Sequence, residues 1–248
     1  MDFQTKSSLS NKTILAIDTS GLCLHIALQT EAGVFLTLAD AGTTHSELLL
    51  DAIDGLLKLA RKTQDDLDLL AALKGPGSFT GLRIGFAAIK GIALALNKQM
   101  VSVPTLDCAA FIHRSYPGLV LPVLDAKQRK FFAAAYRSGE RLTEYIDAAP
   151  QTLAALIEKN DRGGMPALLT GSGAELANNA LAGFIAPDKV LVYPDYNYPL
   201  AGTMLKYIQD GSKIITGDDF FQAPLYIRLS DAEINAANSE LTIIKSRN

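Results

Sequence analysis

GPGSFTGLRIG, residues 75–85, places four glycines, a proline, two hydroxyl residues and an arginine in eleven positions. Such a stretch can cradle phosphate, but here the spacing fails twice. A Walker A loop needs glycine at its sixth position followed by lysine. The sixth positions counted from Gly75 and Gly77 are Thr80 and Leu82. A dinucleotide fingerprint needs G-x-G-x-x-G, whereas Gly75, Gly77 and Gly81 run G-x-G-x-x-x-G. A helical reading is more informative. Gly81, Gly85, Ala88, Gly91 (or Ile92) and Ala95 recur every three or four residues, a stripe of small side chains along one side of a helix. Each glycine costs about 1 kcal/mol relative to alanine inside a helix, so the stripe must gain something from close backbone approach. The protein's own sheet or first helix, a partner protein, or a ligand would each supply it. Gly75-Pro76-Gly77 then acts as the turn between a strand and this helix.

Upstream, TILAIDTS (13–20), LCLHIALQ and VFLTLAD read as three strands joined by tight turns, an antiparallel meander. Thr44 and Glu47 have capping-box spacing and open a helix with apolar residues at Leu48, Leu49, Ala52, Ile53, Leu56, Leu57 and Ala60. LLAALKG is a buried-type strand ahead of the glycine stretch, and MVSVP follows the second helix. The order is β-β-β-α-β-α-β. After Pro104 it begins again more loosely. A helix at 105–114 leads to strands LVLPVLD, KFFAAAYR and RLTEYID, a helix at 150–159, strand ALLTG, a helix at 173–183, strand KVLVYP and a helix at 199–209. Two α/β lobes are expected, each a mixed sheet with flanking helices. The divisions are a polar tail at 1–12, an N-terminal lobe at 13–104, a C-terminal lobe at 105–235 and a tail at 236–248, with helix 199–209 able to pack back on the N-terminal lobe.

The net charge of −3 argues against a domain built to grip a nucleic-acid backbone. A small basic cluster at Lys127, Arg129 and Lys130 reads first as solvated surface. Cys23 and Cys108, the only cysteines, have neither metal spacing nor the number for a disulfide framework, which points to a reducing compartment. No apolar signal core is present in MDFQTKSSLSNK, and FAAIKGIALAL, interrupted by Lys90, falls short of a membrane span. A cytoplasmic protein is expected.

Asp18-Thr19-Ser20, at the end of the first strand, could hold hydrated magnesium and approach phosphate; an Asx-type turn explains it equally well. The loop Thr170-Gly171-Ser172-Gly173 could admit an adenosine, or be turn chemistry alone. Thus Asp18, Thr19, Ser20, Gly171 and Gly173 are the nucleotide-binding candidates. His25, His45 and His113 form no His-x-x-x-His pair, and no nucleophile with its base is visible.

Together, ILAIDTS, THSELLLDAIDGLL, GPGSFTGLRIGFAAIKGIALAL and APLYIRLSDAE resemble the TsaB (YeaZ) family in order and spacing, over about residues 13–234. The resemblance implies a two-lobed fold of the actin, sugar-kinase and Hsp70 type (ASKHA). It also implies an accessory role in making threonylcarbamoyladenosine in tRNA. The catalyst would be the paralogous TsaD, with a small ATPase, TsaE, in the larger assembly. ATP and magnesium would serve the complex, with no cofactor required by this chain. TsaD's catalytic segment carries Val-Asn-His-x-x-x-His; here the ligand positions fall on Thr105 and Ala109. Family members usually read Asp-Ala-Arg-x-Gly-Glu, where this chain has Asp125-Ala126-Lys127-Gln128-Arg129-Lys130. Helices 45–61 and 80–97 would pair with the same two helices of TsaD. That makes His45, Leu48, Leu49, Ala52, Ile53, Leu56, Gly81, Gly85, Ala88, Ile89 and Ile92 the partner-facing candidates, and predicts that Gly85→Leu abolishes the complex while sparing the fold. A homodimer is a further possible assembly, with any tRNA contact indirect or weak. A sugar-kinase-type phosphotransferase using Asp18 is the alternative.

Overall fold

The computed structural model describes residues 9–40, 42, 44–193, 200–211 and 223–227. The tail before Leu9, the tail at 236–248 and the part of APLYIRLSDAE beyond Ile227 lie outside them.

The first sheet is built from β1 (Ile14–Asp18), β2 (Cys23–Thr30), β3 (Gly33–Asp40), β4 (Leu69–Gly75) and β5 (Gln99–Pro104), in the order β3-β2-β1-β4-β5. The meander pairs antiparallel, with Asp18 opposite His25, while β4 and β5 join parallel to β1. Parallel pairing requires crossovers, here α1 (His45–Leu59) and α2 (Phe79–Leu96). Leu49, Ile53 and Leu56 of α1 and Phe86, Ile89 and Ala93 of α2 share one core with Leu15, Ile17, Leu24, Ile26, Leu70 and Ala72 of the sheet. Alternation along the strands thus gives this sheet two apolar faces.

The second sheet repeats the plan. Its central path is β10 (Ile146–Ala148), β7 (Phe131–Ala133), β6 (Val120–Asp125), β11 (Ala167–Thr170) and β12 (Val190–Val192). The short β8 (Tyr136–Arg137) and β9 (Glu140–Arg141) join it through β6. β6 pairs antiparallel with β7 and parallel with β11, as β1 does with β2 and β4. The outer face carries α4 (Pro150–Asn160) and α5 (Ala174–Leu181).

Between the sheets lie α3 (Thr105–Phe111) and α6 (Leu200–Gln209), which touch each other. Leu106 and Ala110 of α3 pack on Val120, Leu124 and Leu168 of the second sheet. Ala201, Met204, Leu205 and Ile208 of α6 pack on Ile14, Ala16, Ala27 and Leu69 of the first. The layers run α1/α2, sheet, α3/α6, sheet, α4/α5. This is the two-lobed α/β fold that the resemblance implies.

Local expectations change in places. The expected strand RLTEYID divides between β9 and β10. No side-chain cap bond forms at Thr44; the turn closes through Glu47 and Leu48 N–H groups donating to the Thr44 carbonyl. The expected strand KFFAAAYR divides at Ala134-Ala135, where Ala135 N–H turns to the Thr143 hydroxyl.

Candidate functional site

β1 ends in a buried polar turn. Asp18 is only 2% exposed, and its Oδ1 accepts from both the backbone N–H (2.7 Å) and the hydroxyl (2.6 Å) of Ser20. Its Oδ2 lies 3.1 Å from His25 Nδ1, which is the donor because a carboxylate only accepts. Asp18 is therefore drawn into an Asx turn and a cross-strand bond. Burial makes such pairing obligatory.

The glycines of α2 are explained from the same turn. Thr19 Oγ1 donates to the Gly81 carbonyl at 2.7 Å, and Ser78 N–H donates to the Ser20 carbonyl at 2.8 Å. A Cβ on Gly81 would sit 1.9 Å from the Thr19 carbonyl oxygen, and one on Gly85 would sit 2.4 Å from Thr19 Oγ1. A Cβ on Gly77 would meet Ser20 at 2.8 Å. The front of the stripe is thus shaped for the chain's own β1–β2 turn. The expectation that Gly85→Leu would spare the fold is corrected: leucine there would drive into Thr19. Ser78 caps the helix, its Oγ accepting from Gly81 N–H at 3.2 Å.

The partner-facing candidates divide by burial. His45, Leu49, Ile53, Leu56, Gly81, Gly85 and Ile89 are buried within the lobe. Leu48 is exposed, and Ala52, Ala88 and Ile92 are half-buried. A different stripe faces outward. On α1, Leu48, Ala52, Gly55 and Leu59 recur every three or four residues; on α2, Ala87, Gly91 and Ala95 recur every four, with Leu94 beside Ala95. Leu59 is 67% and Leu94 71% exposed, and a Cβ on Gly55 or Gly91 would meet nothing within 4 Å. α2 is the one described helix long and apolar enough to cross a membrane by length and composition, longer than FAAIKGIALAL suggested. Its Leu82, Phe86, Ile89 and Ala93 are nevertheless buried in the lobe.

The second lobe has a parallel arrangement at β6 and β11. A Cβ on Gly171 would lie 2.8 Å from the Val123 carbonyl oxygen, and one on Gly173 would lie 2.8 Å from Asp125 N. These glycines, like Gly77 and Gly81, admit the end of the neighbouring strand. Thr170 Oγ1 bonds His113 Nε2 at 3.0 Å, and the His113 ring meets Tyr193 edge-on. The turn after β6 holds Lys127, Gln128 and Arg129 at φ 61°, 53° and 58°, the left-handed region that favours glycine. Arg129 occupies the position where the family pattern has glycine, which gives that glycine a backbone reason. Asp125 braces the turn, accepting from Lys127 N–H (2.8 Å) and pairing with Lys127 Nζ (2.9 Å).

A family model described as TsaD, tRNA N6-adenosine threonylcarbamoyltransferase, matches residues 33–236. The tRNA threonylcarbamoyladenosine biosynthesis protein TsaB of Bacillus subtilis (strain 168) is 28% identical over 233 residues, 92% of this chain and 99% of that protein. The chain belongs to the TsaB (YeaZ) family. The TsaB of Escherichia coli (strain K12) is 31% identical over 129 residues, 51% of this chain and 56% of its own length. Among solved structures, YeaZ from Pseudomonas aeruginosa superposes with a TM-score of 0.67 at 20% identity, covering 87% of this chain and 99% of its own.

Sequence reasoning passed over two clusters. Ala223–Ile227 is docked against the first lobe: Leu225 N–H donates to the Lys74 carbonyl at 2.5 Å, and Arg83 Nε donates to the Tyr226 hydroxyl at 3.2 Å. The Arg83 guanidinium also lies 3.8 Å over the Phe79 ring. The φ of Gly75, +108°, and the 2.7 Å that would separate its Cβ from the Leu225 carbonyl oxygen explain that glycine. The second cluster gathers around Asp107, which accepts from the hydroxyls of Tyr136 (2.5 Å) and Tyr145 (2.9 Å). Burial pushes the pKa of both phenols up, as does the adjacent carboxylate. No sequence signal marked this cluster, because only the fold brings residues 29 and 38 positions apart together.

Proposed function

We propose that this chain is a non-catalytic subunit in tRNA threonylcarbamoyladenosine biosynthesis that binds and activates a TsaD-type transferase. The observation that carries the reading is the pair of outward stripes on α1 and α2, apolar at their ends and glycine at Gly55 and Gly91. Apolar residues flanking small ones let a second helix pair approach closely while burying Leu48, Leu59 and Leu94. Relatives named for this pathway supply its context. Two further features support a subunit without its own chemistry. Asp18 already holds three donor groups, and the positions matching TsaD's ligand histidines are Thr105 and Ala109, both buried in α3. In this reading TsaE joins the assembly, ATP and magnesium are used by the complex, and tRNA is contacted through TsaD in the cytoplasm.

Sedimentation velocity on the chain mixed with TsaD from the same organism tests it. A heavier boundary is expected for the wild type and its loss for Leu48→Glu/Gly91→Glu, with circular dichroism unchanged. Two independent boundaries for the wild type, or an undiminished complex for the variant, would overturn the proposal.

A further inference from the structure

β3 is the outer strand of the first sheet, and among the described residues no strand pairs with its far side. Its eight residues, GVFLTLAD, run in unbroken register against β2 from Gly33 to Asp40, with no proline, lysine or bulge. Those are the devices that commonly blunt an exposed edge. Phe35 and Ala39 turn to the α1/α2 core, so the alternate row of Val34, Leu36 and Leu38 lies on the α6 side. These three are 54%, 45% and 45% exposed. Thr30 and Gly33 close the β2–β3 turn as a bonded pair, and bonded and non-bonded pairs alternate from there. The backbone N–H and C=O groups of Val34, Leu36 and Leu38 consequently point away from β2. One strand thus offers free backbone groups and an apolar row at the same residues.

Leu9, the first of the described residues, stands beside this edge. It packs on the α6-side core, and a turn in which Lys12 N–H donates to the Leu9 carbonyl (3.2 Å) leads into β1. The buried Gln29 pins that turn. Its Nε2 donates to the Leu9 carbonyl at 2.9 Å and to the Lys12 carbonyl at 3.2 Å, while its Oε1 accepts from Gln209 of α6. Gln29 is the cross-strand partner of Val34, so the chain meets the sheet one strand away from the exposed row. Residues 1–8 reach about 26 Å when extended. Crossing from β2 to a line outside β3 takes about 10 Å, or three residues. The remaining five match the ~13 Å from Val34 to Leu38. In MDFQT, Met1, Phe3 and Thr5 alternate with Asp2 and Gln4, the period of a strand with one apolar face.

We propose that residues 1–5 add to the free edge of β3 as an antiparallel strand, with Met1 and Phe3 laid against the exposed row. The direction follows from the turn: a segment reversed at Leu9 is antiparallel to β1, and β1 and β3 run the same way because each is antiparallel to β2. Leu36 already reaches α6, where a Cβ on Gly202 would come within 3.2 Å of its Cδ2. The added side chains complete an apolar layer between β3 and that helix. An edge closed by the chain itself is no longer a template for foreign strands. The outward stripes of α1 and α2, across the sheet, stay free.

The chain contains no tryptophan, so Phe3→Trp places a sole fluorophore in the full-length protein. Its emission is expected well to the blue of the same chain in concentrated urea, with acrylamide quenching reduced severalfold, at every protein concentration. Adding Leu36→Lys or, separately, Val34→Lys should restore solvent-like emission with far-UV circular dichroism unchanged. In the wild type the Leu36 amide should exchange about tenfold or more slower than in Phe3→Lys. Emission like that of the unfolded chain, a blue shift that survives both lysine variants, or equal exchange at Leu36 overturns the proposal. So does a blue shift that appears only as concentration rises, which would assign the edge to a second copy of the chain.

Discussion

Alanine at Gly81 and at Gly91 makes the same chemical change in the same helix, yet the two should move stability in opposite directions. Helix propensity favours alanine by about 1 kcal/mol at either site. At Gly91 nothing lies within 4 Å of the new Cβ, so Gly91→Ala should gain that amount. At Gly81 the Cβ would fall 1.9 Å from the Thr19 carbonyl oxygen, over an ångström inside any real contact, and backbone atoms of two elements must part. Such overpacking costs about 1–3 kcal/mol. Parting them also strains the Thr19-to-Gly81 hydrogen bond, a further ~1 kcal/mol. The net for Gly81→Ala is a loss of about 1–3 kcal/mol, and the gap between the variants is about 2–4 kcal/mol. Urea unfolding followed by far-UV circular dichroism reads both midpoints. Equal midpoints, or a gain for Gly81→Ala, would refute the fit of α2 against the β1–β2 turn.

Arg129→Gly removes a side chain from a left-handed residue and should raise stability by about 1 kcal/mol; an unchanged or lower urea midpoint would count against the strain. Tyr136, Tyr145 and Tyr207 keep their protons above the ordinary pKa of 10.0 because burial disfavours the phenolate. Their contribution is complete below about pH 10 and falls as pH rises, because the unfolded chain releases protons that the folded one retains. Urea midpoints should therefore decline as pH rises above about 10, less steeply in Tyr136→Phe, and a flat profile would contradict this. Leu225 N–H, bonded to the Lys74 carbonyl, should exchange with solvent far more slowly than in an unstructured peptide. Free exchange at that amide would mean that the 223–227 segment is not docked.

The element order was legible because burial imprints periods on the sequence. TILAIDTS, LLAALKG and MVSVP read as strands, and the two long helices announce themselves by their apolar spacing. Less legible was what each face meets. Ten residues at 100° each carry Gly91 about 80° around the helix from Gly81, so one apparent stripe serves two surfaces, Thr19 behind and solvent in front. Spacing alone cannot separate them. The capping-box pattern at Thr44 has the right letters without the cap bond, whereas Thr63 and Asp66 form one across a 3-10 turn that drew no notice. Asp18 was legible as an Asx turn, but its bond to His25 required the β1–β2 register. The register shift of β4 against β5 between Leu73 and Gly75 gave no signal, because a bulge is a property of two strands and not of one.

The return of α6 across the middle of the molecule makes the first half of the chain thermodynamically incomplete. Residues 13–104 contain all five strands of their sheet, yet Ile14, Ala16, Ala27 and Leu69 find their cover in a helix more than a hundred residues downstream. The second sheet draws Leu106 and Ala110 from the segment that leaves the first. Excising residues 13–104 strips an apolar sheet face bare, so a ribosome that has finished the first lobe has not finished its core. Folding must wait for α6, and on heating the two halves should give way in one cooperative transition.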